Sequence, residues 1–329
     1  KTGTGTNLSN IKLGRKPKDT SPHLIIEALA GTGKTTTLIE GLKRIKGIPS
    51  AFTPSPQQAE IWLQMESSKG KVETICFVAF NKGIATELQQ RVPAGCEAMT
   101  MHSMGLKAVT AAFGRVKVDS YRLSNIISEI MEVDIREIRA KKFEMLKALE
   151  KLVGLCKMNL ANTDESSLDA LCAHYDVEYG ASKSEIFSLT PRILERCKDV
   201  GRDSSIDFDD MVWLPIALDL KCIKYDVLLC DELQDFNRCQ QQLALKAGHR
   251  IIGCGDKNQA IYGFTGADSE SMDRMTHELS TTNRGCVRLP LTVTRRCSQA
   301  VVQEARKIVP SFEAHESNCE GLIRQAAYK

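Results

Sequence analysis

Apolar residues fall along this chain in two alternating rhythms. Short unbroken apolar runs occupy residues 23–29, 74–80 and 97–100, and each is followed by a stretch whose apolar positions recur at helical spacing. The helical stretches are residues 34–45, 81–91 and 102–113, with another at 57–65 where Ile61, Trp62 and Met65 cluster on one side. Short strands alternating with helices predict a parallel sheet built from βαβ units. The rhythm then changes. From about residue 119 to residue 200 only the helical period is present: Leu123, Ile126, Ile127 and Ile130 form one stripe, and Phe143, Leu146, Leu149 and Leu152 another. Asp164 and Ser184 stand where helix N-caps are expected. Strand-like runs return at residues 225–230 and 250–254.

These patterns predict an α/β chain, a parallel sheet flanked by helices and interrupted by an all-helical insertion. The expected divisions are a loose leader at 1–22, the sheet domain in two parts at 23–114 and 205–280, the insertion at 115–204, and the start of a further domain at 281–329. Composition narrows the class only slightly. Of the 329 residues, 42% are hydrophobic and 26% charged, ordinary values for a soluble globular protein. The longest apolar runs, at 75–80 and 211–218, fall well short of the roughly 18 residues a membrane span needs. The first residues have no signal-peptide core, so an intracellular protein without a membrane partner is expected. The chain starts at Lys1 with no initiator Met, which points to a true N-terminus further upstream. A net charge of +3 suits a polyanionic partner and a near-neutral enzyme equally. None of the twelve cysteines forms a Cys-x-x-Cys pair, and Cys76, Cys230 and Cys254 lie inside apolar runs. They read as reduced, buried small hydrophobes, with no spacing that supports a zinc site.

Two motifs carry chemistry. Residues Ala28-Leu29-Ala30-Gly31-Thr32-Gly33-Lys34-Thr35 follow the first strand and open the first helix. They match a P-loop, except that Ala28 replaces its first glycine. Glycines let backbone N–H groups wrap phosphate oxygens at a helix N-terminus, Lys34 would reach the β- and γ-phosphates, and Thr35 would ligate Mg²⁺. About 200 residues later, Asp231-Glu232-Leu233-Gln234-Asp235 follows the strand at 225–230. Asp231 is the candidate metal ligand and Glu232 the candidate base for the attacking water. Acids at a helix start are the plainer reading of this pair, and the P-loop argues against it. Gly255-Asp256-Lys257-Asn258-Gln259 follows a third strand, where Gln259 suits either a γ-phosphate sensor or a polar surface turn. Together these residues predict binding and hydrolysis of a nucleoside triphosphate.

In order and spacing the motifs resemble superfamily 1 DNA helicases of the UvrD/Rep type, with some likeness to the F-box DNA helicase branch. The resemblance covers residues 23–300. It rests on Ala30-Gly31-Thr32-Gly33-Lys34-Thr35 as motif I, Phe77-Val78-Ala79-Phe80-Asn81-Lys82 as Ia and Thr100-Met101-His102-Ser103-Met104-Gly105 as Ib. Residues 231–235 stand as motif II and 255–267 as motif III, and Asp207-Phe208-Asp209-Asp210-Met211 resembles the helix start before motif II. The resemblance implies a RecA-like fold, with 115–204 as an inserted 1B-like subdomain. It also implies ATP and Mg²⁺ as cofactors, and ATP-driven movement on single-stranded DNA with unwinding at duplex junctions. ATP would be held by Ala30 to Thr36, that is Gly31, Thr32, Gly33, Lys34, Thr35 and Thr36 after Ala30, together with Gln259 and Arg296. Phe80, Asn81, Lys82 and His102 would line the DNA path, and Tyr262 and Phe264 would stack on bases. Without the resemblance those last two aromatics read rather as core packing of a strand-to-helix turn.

The chain also departs from the family. In Leu291-Thr292-Val293-Thr294-Arg295-Arg296, similar to motif IV, Arg296 falls on the γ-phosphate arginine but Arg295 replaces an adenine-stacking tyrosine. Thr265 replaces an arginine common in motif III. No Gln precedes Lys34, and Pro54-Ser55-Pro56-Gln57-Gln58 is either a displaced adenine-reading segment or a plain helix N-terminus. Motifs V and VI do not occur before Lys329, so a C-terminal motor domain is expected as a missing partner in the same protein. Two alternatives remain in view: a nucleotide-dependent DNA-binding module without motor activity, and the motor half of a helicase–nuclease.

Overall fold

A computed structural model of the chain describes residues 20–66, 72–260 and 270–324. The leader, apart from residues 20–22, lies outside the described residues. The first βαβ unit runs from strand β1 (His23–Ala28) to helix α1 (Lys34–Ile45), α2 (Pro56–Met65) and β2 (Ile75–Ala79). It continues through α3 (Lys82–Arg91), β3 (Cys96–Thr100) and α4 (Met101–Phe113). A two-residue strand β4 (Lys117–Val118) then leads to five helices: α5 (Arg122–Met131), α6 (Ile135–Lys141), α7 (Phe143–Asn159), α8 (Glu165–His174) and α9 (Lys183–Lys198). Strand β5 (Ser205–Ile206) pairs with β4 in parallel and closes the neck of this insertion. The sheet resumes with α10 (Asp210–Ala217), β6 (Tyr225–Cys230), α11 (Arg238–Ala247), β7 (Gly248–Gly255) and α12 (Ser271–Ser280).

All strands of the central sheet are parallel, in the order β3-β2-β6-β7-β1-β8, where β8 is Cys286–Leu291. That last strand lies in the segment expected to begin a further domain, and it pairs along the whole of β1, from His23 opposite Cys286 to Ala28 opposite Leu291. Arg288, facing Glu27 and Asp273, and Pro290 break its apolar run, as suits an edge strand. Beyond it lie a short pair, β9 (Val293–Thr294) with β10 (Glu313–Ala314), and helix α13 (Gln299–Ala305).

Side chains alternate across the sheet and build two cores. Leu24 and Ile26 of β1 pack with Leu38 and Leu42 of α1, Ile61 and Trp62 of α2 and Phe77 of β2. Ile25 points to the other face, where Val78, Leu228 and Ile251 meet Val109, Leu243 and Met275. The second core runs on without a break into Leu146, Leu149, Leu152 and Ile186, so the insertion shares its interior with the sheet.

The helix ends show both the reach and the limit of local rules. Ser55 caps α2 in a capping box with Gln58. Asp164 caps α8, as expected. Ser184 does not cap: α9 starts one residue earlier, after a 3₁₀ turn at Gly180–Ser182, and Lys183 pairs with Asp169 of α8. No described helix is long and apolar enough to cross a membrane.

Candidate nucleotide and nucleic-acid site

Parallel strands place all their carboxyl ends on one edge of the sheet. In the centre of that edge the ends of β1, β6 and β7 adjoin, and the P-loop, Asp231 and the Asp256–Gln259 turn emerge there. Gly31 and Gly33 hold φ of 69° and 87°, in the left-handed region that favours glycine. Gly33 is the N-cap of α1 and no side chain caps that end, so the first N–H groups of the helix stay open to an anion.

Two pairs tie motif I to motif II. Thr35 Oγ1 donates to Asp231 Oδ2 at 2.9 Å, and Lys34 Nζ lies 3.0 Å from Glu232 Oε2. Glu232 sits at φ 51°, a strained backbone for a residue with a side chain. Burial, and then the neighbouring Glu232, push the Asp231 carboxyl up to about 6. The same two causes push Asp235 up to about 6. Oxygen donors of this kind suit Mg²⁺: one hydroxyl and one buried carboxylate, already within hydrogen-bond distance of each other.

The motif IV segment reaches the same place. Arg295 N donates to Gly31 O at 3.0 Å, and a Cβ at Gly31 would lie 2.5 Å from Arg296 Cβ. The Arg296 side chain is exposed beside the P-loop. Ala30 and Thr36 are half-buried on either side of the phosphate loop, while Thr32 is buried and donates to Leu29 O. Gln259 stands apart from the first group: its amide donates to Asp256 Oδ2 at 2.7 Å.

The 54–58 segment is a capped helix N-terminus, and both of its glutamine amides are engaged within the protein. Gln58 bonds Ser55 N and Thr37 Oγ1, and Gln57 bonds both the N–H and the hydroxyl of Thr292.

The residues predicted to line a DNA path follow β2 and β3, beside the phosphate corner on the same edge. Phe80 and Lys82 are exposed, and Asn81 caps α3 through Ile84 N. His102, on the first turn of α4, stacks on Phe208 with ring centroids 3.9 Å apart and planes at 24°. Burial holds His102 down to about 4, so it stacks as a neutral ring at pH 7. Tyr262 and Phe264 lie outside the described residues.

Phe208 is a residue whose part the sequence reading did not assign. It is 58% exposed, the more unusual for a large aromatic held so firmly. Its neighbours explain this. Asp207 Oδ1 accepts from Asp210 N at 2.7 Å and Asp210 Oδ2 accepts from Asp207 N at 2.9 Å, which closes a tight turn with Phe208 at its tip. Asp210 is fully buried and receives Arg122 of α5 at 2.7 Å and Lys157 of α7 at 2.8 Å. Burial opposes the charge on Lys157, yet Asp210 and Asp207 outweigh it and hold the ammonium protonated. The Asp-x-x-Asp spacing at 207–210 is the signal that could have marked this turn.

A parallel sheet with a P-loop after β1 and an acid pair after β6 defines a P-loop nucleotide-binding domain. The chain belongs to the UvrD/REP helicase family: that family's N-terminal domain matches residues 57–280, more than half of the chain. Among curated proteins, F-box DNA helicase protein 1 of Schizosaccharomyces pombe is 24% identical over 93% of this chain and 33% of its own length. The mitochondrial ATP-dependent DNA helicase HMI1 of Saccharomyces cerevisiae is 25% identical over 89% of this chain and 39% of its own length. ATP-dependent DNA helicase PcrA of Bacillus subtilis is 24% identical over 76% of this chain and 33% of its own length. The chain thus spans between about a third and two fifths of the length of these relatives.

Proposed function

We propose that this chain is the ATP-binding portion of a DNA helicase, coupling ATP hydrolysis to movement along single-stranded DNA. The observation that carries the reading is the convergence of Lys34 with Glu232 and of Thr35 with Asp231 at one sheet edge, in a chain of this family. Its relatives are named as ATP-dependent DNA helicases, which supports ATP and DNA as the ligands.

In this reading the open amides of the P-loop and Lys34 bind the phosphates. Thr35 and Asp231 would hold Mg²⁺, which when bound neutralises charge on the β- and γ-phosphate oxygens. Lys34 and Glu232 hold each other in the free site, so phosphate binding draws Lys34 away and leaves Glu232 to orient the attacking water. Arg296, beside Gly31, reaches the phosphate end from outside the sheet. The stacked His102–Phe208 pair offers an exposed aromatic face, and bases bind such faces without regard to sequence, at roughly 1–3 kcal/mol each. Lys82 adds a phosphate contact weakened by salt. The lobe that would close over ATP, and any unwinding at a duplex junction, belong to the longer protein this reading implies, acting inside the cell.

Strand displacement tests this reading. A protein containing this chain together with the remainder of a helicase-length polypeptide should separate a single-strand-tailed duplex with ATP and Mg²⁺, and Glu232→Gln should stop it while nucleotide still binds. Displacement that persists in Glu232→Gln would remove Glu232 from its proposed role.

A further inference from the structure

Within motif II, the residue between the two outer acids makes more contacts than any role above requires. Gln234 is 3% exposed. Its Nε2 donates to Glu232 Oε2 and to Asp235 Oδ2, each at 3.0 Å, and its Oε1 accepts from Asp256 N at 3.0 Å. A primary amide has two donors and one acceptor oxygen, so every side of this one is engaged. Asp256 is equally buried, and its carboxylate accepts from Asn258 N at 3.0 Å and from Gln259 Nε2 at 2.7 Å. One line of hydrogen bonds therefore runs from the carboxylate of Glu232, through Gln234, to the Asp256 backbone and on to Gln259.

The packing fixes that line. A Cβ at Gly255 would lie 2.6 Å from Gln234 Oε1 and 3.1 Å from Gln234 N, so the strand end passes the amide with no room to spare. Glu232 needs such a guide because its positive-φ corner belongs to no regular element that would aim its side chain. Among the described residues its side-chain partners are Lys34 and Gln234. Lys34 is the one that phosphate would take, which leaves Gln234.

We propose that Gln234 is a positioning residue for ATP hydrolysis. It aims Glu232 once nucleotide has taken Lys34, and it passes the placement of the Asp256–Gln259 turn on to that carboxylate. This inference rests on the ATPase reading above. The turn ends at Gln259, the candidate γ-phosphate sensor, so sensor and base meet at a single amide.

The test uses the helicase-length protein that contains this chain and compares the parent with Gln234→Met, Gln259→Ala and the double variant. Turnover is measured across ATP concentrations with and without oligothymidylate, alongside thermal unfolding. A misplacement of about 1 Å in a catalytic group lowers rate by up to roughly 10²-fold, so kcat of Gln234→Met with DNA should fall about 10- to 100-fold. KM for ATP should stay near the parent value. The double variant should be no slower than the worse single variant, as expected when two groups act through one connection. A residue that only supports the fold would lower the unfolding midpoint and move KM together with kcat. If Gln234→Met does not fold, Gln234→Glu carries the test. It keeps the length and the oxygen facing Asp256 N–H but has no donor for Glu232, and the same fall in kcat is expected. An active parent whose kcat survives Gln234→Met, or single effects that multiply in the double variant, overturns the proposal alone. A parent with no turnover under DNA overturns the ATPase reading and this inference with it.

Discussion

The two ends of one sheet edge are built on opposite plans. At the β1–β6–β7 end the side chains of motifs I and II are paired with one another: Thr35 with Asp231, Lys34 with Glu232, Gln234 with three groups. At the β2–β3 end, Phe80, Lys82 and Phe208 stand exposed, with Phe208 backed by the His102 ring. The difference fits what the proposed function asks of each end. Phosphoryl transfer depends on positions fixed to a fraction of an ångström, so the groups hold one another until the nucleotide displaces them. Binding a strand without sequence preference needs open faces, so order is placed one layer back, in the Asp207–Asp210 turn and its Arg122 and Lys157 partners.

That contrast can be broken experimentally. The largest effect should come from Glu232→Gln. General-base catalysis contributes roughly 10²–10⁴-fold, and turnover should fall by that factor while Mg-ATP binding persists. Steady-state rates and equilibrium binding of a fluorescent ATP analogue measure the two separately.

Next is Asp210→Ala, which strikes the layer behind the open face. Removing one partner of a buried ionic network costs about 3–5 kcal/mol, because it leaves the Arg122 and Lys157 charges uncompensated. Urea unfolding should show that loss, and oligothymidylate affinity should weaken as Phe208 loses its turn.

Phe208→Ala should be smaller and more selective. Losing one stacking face should cost single-strand affinity about 1–3 kcal/mol and leave nucleotide binding unchanged. Fluorescence titration with both ligands decides it. Equal loss of both would mean that the two ends are one site and that the contrast drawn here is false.

Much of the sheet was legible in the sequence because period and punctuation agree there. The strand at 225–230 and the helix at 34–45 have the same bounds in the structure, each an apolar pattern closed by turn residues. The resemblance carried motif I to motif II, and the geometry brings those residues within hydrogen-bond distance. What was not legible lies in tertiary pairing. Strand β8 carries Arg288 and Pro290, and nothing local says that it joins β1. Strands β4 and β5 are two residues each, too short to have a period. Arg122 and Lys157 look like solvated positions on helical stripes, and only the fold shows them 2% and 1% exposed against a common aspartate. Gln234 sat inside a motif already read for its acids, and its three partners come from both β6 and β7 ends.

The most direct test of the account is ATP turnover, with and without oligothymidylate, by the helicase-length protein that contains this chain, set against Lys34→Ala. The account predicts Mg-ATP binding and DNA-stimulated turnover in the parent, both lost in Lys34→Ala. Turnover that is indifferent to Lys34→Ala, or a parent that does not bind Mg-ATP, would contradict it.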